Sequence, residues 1–170
     1  MNFTNETLDT ASLPRFEEAP LTKLHPNYWK VMLVVQSLLF LIVGFGALAF
    51  YYFQPEFQDF GIYMIAVFLA LVLITVGFSR LNFVKKGFAF REHDVIFRDG
   101  IIATHTMIIP YNRIQHVALH EGAISRLFGL AKVEIFTAGG NQSDIEIPGI
   151  EKAQAENIKQ LLMGKIRKEL

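Results

Sequence analysis

Two stretches of this chain carry no charge at all, and they restrict its fold more than any other feature. VMLVVQSLLFLIVGFGALAFYYF runs for 23 residues from Val31 to Phe53, and FGIYMIAVFLALVLITVGF for 19 residues from Phe60 to Phe78. As helices they reach roughly 35 and 28 Å, close to the ~30 Å hydrocarbon core of a bilayer. A helix buried in a soluble protein usually keeps a polar face. Here the one strongly polar side chain in either run is Gln36, so the pattern predicts a pair of transmembrane helices. Tyr28 and Trp29 before the first run, and Tyr51 and Tyr52 at its end, suit the aromatic belt at a membrane interface. A cleaved leader fits badly, because about thirty residues with Glu6, Asp9, Glu17 and Glu18 precede the first apolar run. A secretory leader starts with a short basic segment.

Only QPEFQD, Gln54 to Asp59, joins the two runs, and it contains acids but no Lys or Arg. Lys23 and Lys30 lie before the hairpin and Arg80, Lys85 and Lys86 after it. The positive-inside bias therefore predicts a multi-pass membrane protein with both termini cytoplasmic and the short turn outside. Three regions follow: a flexible arm over 1–24 without apolar periodicity, a hairpin over 25–80 with spans at about 31–53 and 60–78, and a domain over 81–170. Ninety residues suffice for one small core.

That last region is dense in strand signals. Phe88–Arg91 and Val95–Arg98 are short β-prone runs, Asp99-Gly100 reads as a hairpin turn, and Ile101–Ile109 continues as a third strand up to Pro110. Alternation resumes from Ile114 to Leu119, GAISRLF reads as a short helical insertion closed by Gly129, and KVEIFT and DIEI follow as strands. Gly139-Gly140 joins two strands and so reads as a turn, since a phosphate-cradling loop opens into a helix. After Pro148-Gly149 the pattern predicts a helix from Ile150 to about Arg167, with Ile158, Leu161, Leu162 and Ile166 facing a sheet and Arg167 and Lys168 at the negative end of its dipole. The expected fold class is α+β, several antiparallel strands capped by a C-terminal helix.

The chemistry-bearing residues form no enzyme motif. His116 and His120 are four apart, but on a strand that spacing puts them roughly 13 Å from each other, too far to share a metal unaided. A His-based metal enzyme is thus the weakest of the functional readings. Ser125 lacks a nucleophile-elbow context, and Glu92, Glu121, Glu134 and Glu146 are isolated. The chain has no cysteine, which removes disulfides and thiolate chemistry. No cofactor is expected. From Arg80 onward 13 basic residues face 10 acidic ones, an excess of 3, too small to argue for nucleic acid. Arg80, Lys85, Lys86, Arg91 and Arg98 are candidates for contact with an anionic membrane surface, at about 1 kcal/mol for each basic residue near it.

IPYNRIQHV followed by SRLFGLAKVEIFTAGG resembles the bacterial pleckstrin-homology (PH) domain family of membrane proteins, in its small YdbS-like form. The shared residues are Arg113, Ile114 and Gln115, the segment Arg126 to Leu130 with Gly129, and Thr137 to Gly139. The resemblance implies a PH-like split β-barrel of two antiparallel sheets plugged by the last helix, and a non-catalytic module that scaffolds or binds proteins. It also implies a partner in a longer, multi-domain PH-like membrane protein. Arg113 and Gln115 are expected to be structural, one satisfying loop carbonyls and the other closing a sheet edge. Arg126 either pairs with Glu121 or lies at a contact surface. Gly44, Gly46, Ala66 and Ala70 supply small surfaces where helices of an oligomer can pack. The leading function is a membrane-tethered adaptor, and its alternative is a sensor of anionic lipid headgroups.

Overall fold

The computed structural model describes residues 7, 16–138 and 144–169. The first strand, β1 (Thr22–Lys23), precedes two long helices, α1 (Asn27–Phe53) and α2 (Gly61–Lys85). A short 3-10 helix, Pro55–Phe60, connects them. Proline at its start cannot continue the α1 hydrogen-bond ladder, so the chain reverses there. The edge of the Phe68 ring meets Phe40 at 6.0 Å between centroids, and the amide of Gln36 donates to the Thr75 carbonyl at 3.4 Å. Both helices are apolar on every side, and their outward side chains are uncovered: Ile42, Ile62 and Leu73 are each 74% exposed. A core helix of a soluble protein would bury such residues. α2 continues past Phe78, where the apolar run stops, because Ser79 to Lys85 contains no helix breaker. Arg80 and Lys85 therefore stand on α2 itself.

The chain then builds a four-stranded sheet in the order β1-β2-β3-β4. Its further members are β2 (Gly87–Phe90), β3 (Asp94–Asp99) and β4 (His105–Pro110). β1 pairs with β2, Thr22 opposite Phe88 and Lys23 opposite Gly87. Leu24 is buried in the core, and the His25 N–H donates to the Gly149 carbonyl at 2.8 Å. So the end of the segment that lacks periodicity in the sequence is a sheet edge, and the helical hairpin is inserted between the first two strands of the domain. The third strand also starts later than its apolar residues suggest. Gly100 has φ of 101°, and the Ala103 carbonyl folds back to within 2.0 Å of where a Cβ on Gly100 would sit. Residues 100–104 consequently form a loop, and pairing begins with His105 opposite Asp99.

The second sheet has the order β5-β6-β7, comprising β5 (Ile114–His120), β6 (Leu130–Thr137) and β7 (Ile145–Glu151). The short helix α3 (Ala123–Leu127) joins β5 to β6, and α4 (Lys152–Glu169) follows β7. Where a helix is expected from Ile150, β7 instead runs on through Pro148-Gly149. Ala131 pairs with Ile150 and Val133 with Ile147, so the extra residues are absorbed as a bulge with Gly149 at φ 64°. Ala155, Ile158 and Leu162 of α4 are buried and Ile166 packs beside them. Leu161, expected on the same face, is 46% exposed: the buried stripe runs through 155, 158 and 162, and Leu161 falls off its edge. The side chains of residues 167–169, including Arg167 and Lys168, lie outside the described residues. One core joins both sheets and α4, with Val95, Val133, Ile135, Ile145 and Ile147 fully buried. The two sheets do not pair with each other, so the barrel is not closed.

Candidate interaction site

The unclosed seam lies beside the hairpin. Phe97, Asp99 and Met107 from the first sheet face Asp144, Glu146 and Pro148 from the second, and Tyr28 and Lys86 complete a cleft of about 370 Å³. Its position follows from Gly149: a Cβ there would lie 2.4 Å from Cγ of Tyr28. Only glycine lets the first turn of α1 press against β7. Around the cleft the charges are largely committed. The Thr137 hydroxyl donates to Asp144 Oδ2 at 2.6 Å and the Thr137 N–H at 2.8 Å, which holds this carboxyl below the ordinary aspartate range, the hydroxyl contributing most. Lys132 bridges Glu134 Oε1 at 2.6 Å and Glu146 Oε2 at 2.9 Å, and these two bonds raise its own pKa.

The five basic residues read as a membrane-contact set do not converge. Arg91 is locked on Asp94, its Nε donating at 2.6 Å. Arg98 donates to the Thr106 hydroxyl across the β3–β4 pair at 3.3 Å. The Arg80 guanidinium lies 5.1 Å from the Trp29 ring centre and 5.4 Å from that of Phe83. Lys85 Nζ donates to the Ile101 carbonyl at 2.8 Å, and Lys86 lines the acidic cleft. Arg80, Lys85 and Lys86 thus belong to the last turns and end of α2 with separate partners, while Arg91 and Arg98 serve the sheet. His116 and His120 do lie on a strand, where His116 stacks on Phe136 at 4.1 Å. Among the described residues no three His, Asp or Glu side chains come together as metal ligands.

The bacterial PH domain model matches residues 33–166. The chain belongs to the bacterial PH domain family. It is 27% identical over 147 residues to the UPF0699 transmembrane protein YdbS of Bacillus subtilis (strain 168), covering 84% of this chain and 90% of that protein. It is also 30% identical over 99 residues to UPF0699 transmembrane protein YdbT of the same strain, covering 54% of this chain and 19% of that longer protein. No solved structure matches it significantly. Two apolar helices, two antiparallel sheets and a C-terminal helix agree with a membrane-associated bacterial PH domain protein.

Within this bacterial PH domain the family residues have separate jobs. Ile114 is buried and Arg113 and Gln115 are exposed. The Arg113 carbonyl accepts from the Ala138 N–H at 3.3 Å, so it is the backbone that ties this corner and not the guanidinium. Gln115 does not close a sheet edge. It is the extra residue of a bulge, because Ile114 pairs with Thr137 and His116 with Phe136. The bulge shifts the inward phase by one, bringing Val117 into the core after Ile114. Arg126 is exposed, and Glu121 pairs with Lys152 at 2.9 Å instead. Gly129 takes φ 69° and its carbonyl accepts from the Lys152 N–H at 3.0 Å. Gly139 lies outside the described residues, as does Gly140 of the expected turn. Tyr111, which lies within IPYNRIQHV but is not among the residues singled out there, is 1% exposed; its hydroxyl donates to the Arg91 carbonyl at 2.6 Å. Burial and then nearby Asp94 raise its pKa. A tyrosine directly after Pro110, at the corner between sheets, is the signal that marks it.

Proposed function

We propose that this protein is a non-catalytic scaffold whose two helices span the bacterial inner membrane with both termini in the cytoplasm. Its PH-like barrel is presented there to a membrane-bound protein partner. The observation that carries this reading is the double attachment of the barrel to the hairpin. The Tyr28 ring and the His25–Gly149 hydrogen bond hold the base of α1, and Lys85 to Ile101 holds the base of α2. A domain attached twice keeps one orientation to the bilayer, and confinement to that layer raises its effective concentration toward other membrane proteins. The unclosed sheets leave strand edges, a surface to which a partner strand can add. A longer protein of the YdbT kind, with several PH-like units, suits this role. A headgroup sensor built on Lys85, Lys86, Arg91 and Arg98 is the weaker reading, since Lys85 donates to the Ile101 carbonyl, Lys86 lines the acidic cleft, Arg91 is paired with Asp94 and Arg98 Nε donates to Thr106.

The cysteine-free chain permits a direct test. Gln54→Cys should react with a membrane-impermeant maleimide on intact cells, and Lys159→Cys only after lysis; reaction of both from outside removes the proposed topology. A photo-crosslinker at His105 or Ile108 on β4 should give adducts with a second PH-type membrane protein. Adducts with lipid alone remove the adaptor role.

A further inference from the structure

Among the described residues, the two most exposed large apolar side chains outside the long helices are Ile102, at 92%, and Leu127, at 82%. Lone exposed aliphatic residues are ordinary on protein surfaces. Their placement is what sets these two apart. Ile102 is in the β3–β4 loop, next to Ile101, whose carbonyl is held by Lys85 at the end of α2. Leu127 ends α3, which packs against α1, the helix whose one buried residue is Val31. Each therefore sits beside the base of a different long helix.

The level of those bases is marked by side chains. Trp29 and Arg80 lie together, guanidinium over indole at 5.1 Å, an aromatic and basic pair of the kind that seats at a membrane interface. From Arg80 to Lys85 the helix advances about 7–8 Å, and the headgroup layer of each leaflet is roughly 5–8 Å thick. The loop tied to Lys85 is thus level with the headgroups. The charges nearby suit an anionic leaflet: Lys30 and Arg126 are exposed, the latter adjacent to Leu127. The acids of this region have partners within the protein: Asp99 lies 3.8 Å from His105, Asp144 accepts from Thr137, Glu146 pairs with Lys132 and Glu121 with Lys152, both at 2.9 Å.

We propose that the barrel rests on the leaflet its helices enter, with Ile102 and Leu127 seated in the headgroup layer. The partner of this surface is the bilayer, continuous with the lipid around α1 and α2. The inference rests on the spanning topology proposed above. It makes the domain a lid lying on the membrane, with α4 packed against β5, β6 and β7.

Full-length Ile102→Cys, Leu127→Cys and Lys159→Cys, each carrying an environment-sensitive fluorophore, would be reconstituted into vesicles of phosphatidylethanolamine and phosphatidylglycerol. The expected result is a blue-shifted emission at Ile102 and Leu127, with loss of intensity when the vesicles carry lipid with a nitroxide near the headgroup end of the acyl chain. The Lys159 probe should keep an aqueous spectrum. Spectra at Ile102 and Leu127 indistinguishable from that at Lys159 overturn the proposal, as does a response at one of them alone. Failure of the underlying topology reads differently, through maleimide labelling of Gln54→Cys and Lys159→Cys from the same side.

Discussion

Gly149 shows how one missing side chain sets the relation between barrel and hairpin. Its φ of 64° is the left-handed region, and the Tyr28 ring occupies the space a Cβ would need. Gly149→Ala should destabilise the protein by at least about 1–2 kcal/mol from backbone strain, with the collision adding more. Gly164→Ala is the control, since nothing lies near a Cβ there; in mid-helix it should stabilise by roughly 0.5–1 kcal/mol. Thermal unfolding in detergent reads both. Asp144 makes a pH prediction. The Thr137 hydrogen bonds hold its carboxyl below the ordinary range in the folded state. Its stabilising contribution is therefore complete above the unfolded value of about 3.9 and is lost as pH falls through the lower folded one. Melting temperature measured from neutral to strongly acidic buffer should show that loss, and Thr137→Val should reduce it.

At the level of strands and helices, periodicity located most elements and failed where backbone geometry intervened. The slip in IQHVALH, where apolar Ile114 is followed by Val117 and Leu119, is the written trace of the Gln115 bulge. The loop at 100–104 left no such trace, because Ile101 and Ile102 read as strand and only the fold of the chain over Gly100 excludes them. β1 was illegible for another reason: two residues carry no period. Leu24→Ala should cost about 2–5 kcal/mol, as for other buried leucines. Leu161→Ala, on the exposed edge of α4, should stay within about 0.5 kcal/mol. Urea unfolding of the two variants separates these outcomes, and equal small effects would remove Leu24 from the core.

In the molecule as a whole the hairpin is followed by the two sheets and the closing helix, and the short segment before it returns as the edge strand of the first sheet. A fragment beginning at residue 81 lacks β1 and Leu24, which the core contains, and it should melt well below the full chain. Joining residues 20–25 to 86–170 through a short Gly/Ser linker restores the β1–β2 pair and should recover stability. Calorimetry of the two fragments decides this, and equal melting temperatures would refute it. The two long apolar helices, the strand-rich domain and the closing helix were legible in the sequence alone, since apolar length and period are local properties of neighbouring residues. The junction was decided only in three dimensions. Tyr28 meets Gly149, Leu24 enters the core and Lys85 reaches Ile101 because distant segments share one packed interior, and no local pattern records which surfaces will meet.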